Sequence, residues 1–346
     1  MDPTSLVNES KTSPRTEARA AGPNAGRRVL ITGGAGFLGV NAAVRLIDDG
    51  WHVTVLDNLS RPGTERNLKW LITRHPTRTS FIKEDVRNAS ALVDHVKNQD
   101  AILHLAGQVA VTTSLVDPVT DFDVNARGTL NLLEAARLHN PEAPFVFAST
   151  NKVYGKLDKN NVACKESQPI DFHSPYGCSK GAADQYVRDY ARCFHMNTVV
   201  LRQSCIYGAH QYGTEDQGWV AHFVHSILND RPLTIYGDGL QVRDLLDARD
   251  LCALYAYVID KAEQTRGEIY NVGGGPQNQR NLLEVIKHIG ELTHRKPQFT
   301  FADWREGDQT YYVSDITKAR TNLAWEPQIP FEQGLRDLID WASRLD

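Results

Sequence analysis

The stretch Val29-Leu30-Ile31-Thr32-Gly33-Gly34-Ala35-Gly36-Phe37-Leu38-Gly39 constrains this chain more than any other. An apolar run, Arg28 to Thr32, has the length and composition of a buried strand. Gly33, Gly36 and Gly39 follow at three-residue spacing, and an apolar-periodic segment, Phe37 to Leu46, ends near Gly50. Strand, tight glycine turn and helix in that order predict the opening of a parallel, doubly wound sheet. Gly33 permits the turn, Gly36 lets backbone approach a pyrophosphate, and Gly39 lets the helix pack closely. The helix N-terminus, with Phe37 and Leu38 in its first turn, would aim unpaired N–H groups and positive dipole at the phosphates.

Glycine turns also serve plain packing, so the next strand matters. His52 to Leu56 ends in Asp57, where a carboxylate can accept hydrogen bonds from an adenosine ribose. This predicts a dinucleotide site. Asp57 favours NAD over NADP, because a carboxylate repels a 2′-phosphate, and the nearby Arg61 works in the opposite direction.

A length of 346 residues suits a nucleotide domain with a smaller appended one. We expect a polar, disordered extension over 1–26 and an NAD-binding Rossmann domain over 27–205. The remainder, 206–346, is mainly a mixed α/β substrate domain, with some chain crossing back to the sheet. A net charge of −4 gives no electrostatic reason to expect nucleic acid or membrane as a partner. The five cysteines are scattered with no C-x-x-C pair, which argues against a disulfide framework or a zinc site. The N-terminal stretch holds no apolar core of a secretory signal, and no run is long and apolar enough to span a membrane, so a cytoplasmic location is expected.

Strands and helices alternate onward. Thr79 to Lys83 is a strand followed by Asp85-Val86, and Asp85 is either an adenine contact or a cap for a helix over Ala89 to Val96. Ala101 to Leu105 is a buried strand leading into Ala106-Gly107-Gln108, small residues beside which a cofactor could pass. His104, inside that apolar run, reads as a satisfied core or substrate-facing histidine, since no second metal ligand lies at helical or hairpin spacing. One long helix is expected from Val119 to Leu138. Phe145 to Ala148 is the next strand, and Thr150, Asn151 and Lys152 follow its carboxyl end, where open α/β sheets place their chemistry. Thr150 could instead cap a turn.

His173-Ser174-Pro175-Tyr176-Gly177-Cys178-Ser179-Lys180 opens a helix running to about Cys193, with Ser174 as N-cap and Pro175 in the first turn. Tyr176 and Lys180 are four apart and share a face. Oxidising an alcohol with a nicotinamide needs a base for the hydroxyl proton. A free tyrosine, with a pKa near ~10, is too weakly acidic to be a phenolate at neutral pH. A neighbouring ammonium and a positive nicotinamide ring both favour phenolate. Tyr176 is thus the expected base, Lys180 its partner and a ribose contact, and Thr150 a hydrogen-bond donor to the reacting oxygen.

These motifs resemble those of the extended short-chain dehydrogenase/reductase family, from Arg27 to the C-terminus. Within it the chain is similar to the nucleotide-sugar epimerases, and most of all to the CDP-paratose 2-epimerases. Four stretches carry that likeness: Asp57 to Arg61, Leu105 to Ala110, Ser149 to Gly155, and Asp171 to Gln185. The loop Lys156 to Phe172 departs from it by being shorter than in the enterobacterial members. The resemblance implies NAD against the glycine turn, Asp57, Asn58, Ser60, Arg61, Asp85, Val86, Leu105, Ala106, Gly107, Gln108 and Ile206. It implies a nucleotide-diphosphate sugar, CDP-linked by preference, against Gln108, Thr150, Asn151, Lys152, His173 and Gln203. Arg243 and Arg305 would clamp its phosphates, and Asp308 would contact its ribose. It also implies a homodimer through the Val119–Leu138 and Ser174–Cys193 helices.

The reaction so implied is removal of hydride from C2 of the sugar, turnover of the 2-keto intermediate, and hydride return to its other face. Related dehydratases carry an acidic pair after the active-site Thr, and decarboxylases usually a Glu. Here Asn151 and Lys152 stand there, which disfavours elimination. A 4-epimerase, a net dehydrogenase, a decarboxylase and a non-catalytic nucleotide sensor remain the alternatives.

Overall fold

The computed structural model describes residues 24–157 and 163–345. The expected extension, up to residue 23, lies outside the described residues. Its last three residues form a turn, in which Asn24 is buried and accepts a hydrogen bond from Arg27 at 2.8 Å, so the ordered body begins before Arg27.

Seven strands form one parallel sheet. Their spatial order is Ile269–Val272, Thr198–Gln203, Phe145–Thr150, Ala101–His104, Arg28–Thr32, His52–Asp57 and Thr79–Lys83. The chain order reverses between Arg28–Thr32 and Ala101–His104, which opens a crevice at the carboxyl edge of these two strands. The strands read as continuous apolar runs because helices cover both faces. Val29, Ile31, Val53, Val55 and Leu103 point to one face, against the helices Phe37–Asp48 and Ala248–Asp260. Leu30, Leu56, Ile102, Phe145 and Phe147 point to the other, against Gly128–His139 and Ser174–Phe194. Ala248–Asp260 and the edge strand Ile269–Val272 come from the C-terminal half of the chain and complete this layer.

The single helix expected over Val119–Leu138 is three segments: an α-turn at Pro118–Phe122, a π-helical stretch at Asp123–Arg127, and an α-helix at Gly128–His139. The wider π turn accompanies a fully buried Asn125 that bonds outside its own helix. Between Tyr207 and Thr317 the sequence shows only irregular signals, yet three helices form: Trp219–Leu228, Ala248–Asp260 and Leu282–Thr293. The last opens on a reciprocal capping box between Asn281 and Glu284, a signal that the sequence reading passed over.

The smaller unit packs Trp219–Leu228, Leu282–Thr293 and Phe331–Ala342 through Val224, Ile227, Ile286, Ile289, Leu335 and Leu338. Short strands Cys205–Tyr207, Val242–Asp247, Gln279–Asn281 and Tyr311–Tyr312 form a four-stranded sheet. Leu233–Tyr236 pairs with Phe299–Ala302. Among the described residues no helix is long and apolar enough to cross a membrane.

Candidate active site

The glycine turn explains its own composition. Gly33 has φ +67°, and a Cβ there would sit 2.7 Å from the Ala106 backbone nitrogen. A Cβ on Gly39 would lie 2.4 Å from both the Gly33 carbonyl and Gly34 Cα, so the close packing it permits is of helix on turn. No side chain caps the Phe37–Asp48 helix, and its first turn holds no acid, which leaves its N–H groups for an anion.

A cavity of about 850 Å³ runs from this turn across the carboxyl edge of the sheet to the smaller unit. Every cofactor and substrate residue expected from the sequence lines it except His173. That side chain is 55% exposed and stands 3.8 Å from Glu306, outside the wall.

Beside the glycine turn, Asp57 accepts from Ala35 N–H at 3.1 Å and Leu59 N–H at 2.8 Å. Burial raises its carboxyl, while these two N–H groups and Arg61 pull it back. Both oxygens keep a free lone pair for ribose hydroxyls. Asp85 accepts a fork from Arg87 at 2.9 and 2.8 Å and Asn58 Nδ2 at 2.8 Å. These cationic and amide donors, Arg87 first, hold its carboxyl at about 2. Asp85 does not cap Ala89–Val96, whose N-cap position is Asn88.

In the middle of the cavity, the helix that presents Tyr176 and Lys180 begins at Ser174, so its N-cap position is His173 and not the expected Ser174; Ser174 has φ +72° and its Oγ accepts Gly177 N–H at 3.3 Å within the first turn. Burial pushes the Tyr176 phenol up to about 12. A hydrogen bond with Thr150 and the charge of Arg61 pull it down, and Asp121 pushes it up. Thr150 also does the turn-capping duty, its Oγ1 accepting Lys152 N–H at 3.3 Å. Lys180 Nζ donates to Ala148 O at 2.6 Å and lies 4.1 Å over the Phe147 ring. Burial drives its pKa down to about 7 against Asp184 and Asp121. In addition to the expected Lys180, the charge of Arg61 acts on the Tyr176 phenol, while Lys180 donates one of its hydrogens to a backbone carbonyl.

At the far end, Lys152 Nζ donates to Gly307 O at 3.2 Å and is 3.9 Å from Asp308. Burial and Arg243 lower its pKa to about 8. Arg243 bonds Asp308 at 2.9 Å and Gln309 O at 2.6 Å. Arg305 stacks 3.8 Å over Tyr236 and bonds the Glu215 carbonyl at 3.0 Å. Asn151 donates to Gln309 at 3.2 Å, Gln203 to Tyr255 at 2.6 Å, and the Gln108 amide to Ala110 O at 2.7 Å.

His104 is a satisfied core residue, paired with Thr32 at 2.6 Å and Thr129 at 2.9 Å and held neutral by burial, with a pKa of about 3. Among the described residues no cluster of His, Cys, Asp or Glu could hold a metal.

Two supports were missed in the sequence. Asn125 accepts Gln108 N–H at 2.9 Å and donates to Gln108 O at 3.0 Å and Ser179 at 3.1 Å, clamping the Gly107–Gln108 backbone to the Tyr176 helix. Arg202 forks onto Asp184 at 2.9 and 2.8 Å, both buried, and Asp184 also accepts the Ser149 hydroxyl at 2.7 Å. Their signal was a polar residue inside an apolar periodic run, visible at Asn125 and Arg202.

The cofactor fit is good on this structure's own terms: an uncapped helix N-terminus, a turn a Cβ would fill, and a carboxylate with spare acceptors. Comparison with known proteins agrees. The family described as GDP-mannose 4,6 dehydratase matches residues 30–338. The chain is 41% identical over 339 residues to CDP-paratose 2-epimerase of Salmonella typhi, covering 92% of this chain and all of that one. It is 34% identical to dTDP-glucose 4,6-dehydratase of Neisseria meningitidis, covering 91% and 93%. The solved UDP-glucose 4-epimerase of Thermus thermophilus, in complex with NAD, superposes with a TM-score of 0.83 at 32% identity, covering 92% of this chain and 100% of that one. The chain belongs to the GDP-mannose 4,6 dehydratase family, within the extended short-chain dehydrogenases/reductases that include nucleotide-sugar epimerases and dehydratases.

Proposed function

We propose that the protein is an NAD-dependent epimerase of a nucleotide-diphosphate sugar, acting at C2 of a CDP-sugar. The observation that carries the reading is one cavity holding the glycine turn and Asp57 at one end, Thr150, Tyr176 and Lys180 in the middle, and Arg243 and Arg305 at the other. Bound NAD supplies a hydride acceptor and a positive ring that favours phenolate.

Gly33, Gly36 and the first turn of the Phe37–Asp48 helix hold the pyrophosphate, and Asp57 the adenosine ribose. Asn58, Ser60, Arg61, Asp85 and Val86 surround the adenosine. Leu105 to Gln108 and Ile206 border the nicotinamide, whose ribose Lys180 bonds. Thr150 orients the sugar hydroxyl. Tyr176 takes its proton at Oη and later gives it back. The two residues beside Thr150 contain no carboxylic acid, so loss of water is unsupported and a cycle of oxidation and re-reduction remains. Lys152 bonds the sugar or its keto oxygen, Arg243 and Arg305 the diphosphate. The 41% identity to a CDP-paratose 2-epimerase favours cytosine and C2 over the other bases and carbons. Exposed Val119, Phe122, Leu138, Tyr186 and Phe194 on the two long helical segments support a homodimer through them.

Incubation in D₂O with CDP-, UDP-, GDP- and ADP-sugars, without added NAD, tests the reading by NMR. A new C2 epimer with no deuterium incorporated at that carbon is expected. Epimerisation at another carbon, accumulating NADH or released CO₂ would replace it with another activity of the family. No reaction with any sugar nucleotide, despite bound NAD, would point to a different substrate class or a sensor.

A further inference from the structure

The α-turn Pro118–Phe122 packs against the Ser174–Phe194 helix and carries one carboxylate, Asp121, that is only 1% exposed. Ser179 Oγ donates to one of its oxygens at 2.5 Å, and Asn125 Nδ2 to the other at 3.2 Å. Ser179 immediately precedes Lys180, and Asn125 clamps the Gln108 backbone. Gly107 shows how close the amine is: a Cβ there would lie 3.0 Å from Asn125 Oδ1 and 3.9 Å from Lys180 Nζ. Asn125 thus reaches Asp121 with its Nδ2 and the surroundings of Lys180 Nζ with its Oδ1.

A buried carboxylate is costly unless donors and a counter-charge face it. Among the described residues no cation stands within ion-pair distance of Asp121, and the one whose charge acts on its carboxyl is Lys180. The groups facing Lys180 point the same way. His104, from the neighbouring strand, is neutral by burial, and Tyr176 lies one turn back on the same helix. Asp184 raises the amine's pKa against burial, but its charge is matched by the Arg202 fork at 2.9 and 2.8 Å. Asp121 raises it too, and has no such partner. We propose that Asp121 is a positioning residue for Lys180 and Tyr176: the buried counter-charge of the Lys180 ammonium, tied through Ser179 and Asn125 to the catalytic helix and to the Gly107–Gln108 backbone. Its part in the reaction rests on the function proposed above; the charge pairing does not.

An NMR titration of the full chain, as isolated and with ¹³C at the lysine Cε, tests the pairing without any substrate. The Lys180 resonance is the one missing from Lys180→Met. Asp121→Asn keeps the shape and removes the charge, and should lower the Lys180 midpoint by about one pH unit. Ser179→Ala breaks the same contact but keeps the charge, so it should move the midpoint less than about half as far. No shift in Asp121→Asn, or equal shifts in both variants, overturns the proposal. Should Asp121→Asn fail to fold, the reciprocal measurement decides. Lys180→Met should raise the Asp121 carboxyl midpoint, followed at its ¹³Cγ, and an unmoved midpoint overturns the proposal. With a nucleotide sugar that turns over, Asp121→Asn should move both limbs of the kcat profile to lower pH, because the same charge also pushes the Tyr176 phenol up, behind burial. KM should stay within about twofold. Unmoved limbs overturn the part in the reaction, whereas a parent that turns over no nucleotide sugar overturns the proposed function and leaves the shifted midpoint standing.

Discussion

Lys180 Nζ donates to the Ala148 carbonyl at 2.6 Å, two residues before Thr150, so the helix carrying the candidate base and the strand carrying its hydroxyl partner are joined by one buried amine. Burial lowers that amine's pKa from 10.5 to about 7. The unfolded chain then binds more protons than the folded one between these values, and stability attributable to Lys180 rises with pH across that window. Below pH 7 the full penalty of a buried charge applies. Lys180→Met should therefore abolish turnover yet unfold later in urea than the parent at pH 6.5, by about 1–3 kcal/mol. The advantage should shrink by pH 9.5. A variant less stable at pH 6.5, with no trend in pH, would remove the buried-amine account.

Tyr176 gives a sharper separation of structure from chemistry. Its ring is buried, so Tyr176→Phe keeps the packing and removes only the oxygen. We expect NAD content and Tm to stay near the parent's, with turnover falling about 10²–10⁴-fold. Arg61→Gln should raise the apparent pKa of the activity profile, because it removes the cation that pulls the phenol down. Turnover by Tyr176→Phe at the parental rate would rule this residue out as the base.

The buried pair of Arg202 and Asp184 predicts a non-additive result. Either member left alone is a buried charge that has lost its forked partner, in contact with Ser149 or Tyr154. Arg202→Met should destabilise by about 3–5 kcal/mol. Arg202→Met/Asp184→Leu should recover a large part of that loss, since replacing both charges removes the desolvation cost together with the attraction. Urea titrations of the four proteins measure the coupling, and simple additivity would show that the pair is not acting as a unit.

These same residues mark where the sequence stops being informative. The glycine turn, Asp57 and the Tyr176/Lys180 spacing are local patterns, each set within a few residues, and the structure puts them on one cavity. The parallel strands were legible because continuous apolar runs between helices report a sheet buried on both faces. Arg61 acting on Tyr176 joins distant parts of the chain, and no local pattern encodes such a pairing. The π segment at Asp123–Arg127 was hidden because its apolar spacing imitates an ordinary helix, while the bonds from Asn125 to Gln108 that accompany it are tertiary. His173 stands beside the Tyr176 motif yet points to the rim, because the positive φ of Ser174 turns the chain between them. The smaller unit was least legible: its sheet contains strands of two and three residues, too short to show alternation.

Arg243 is the place where the phosphate-clamp reading meets a competing contact. Its guanidinium already bonds Asp308 at 2.9 Å and the Gln309 carbonyl at 2.6 Å, and Asp308 lies 3.9 Å from Lys152. A diphosphate binding here must share these cations with one carboxylate. Arg243→Gln should raise KM for the nucleotide sugar roughly 10–100-fold, the worth of a hydrogen bond between charged groups, with a smaller change in kcat. Asp308→Asn acts in the opposite sense on charge. It leaves Arg243 and Lys152 less neutralised, so it should tighten binding of a bare nucleoside diphosphate, read by calorimetry. If Asp308 instead holds the nucleotide's ribose through its carboxylate, the same variant weakens that binding. The sign of the change therefore decides between a charge-balancing and a ribose-holding Asp308, and Arg243→Gln with an unchanged KM would take the arginine out of the phosphate site.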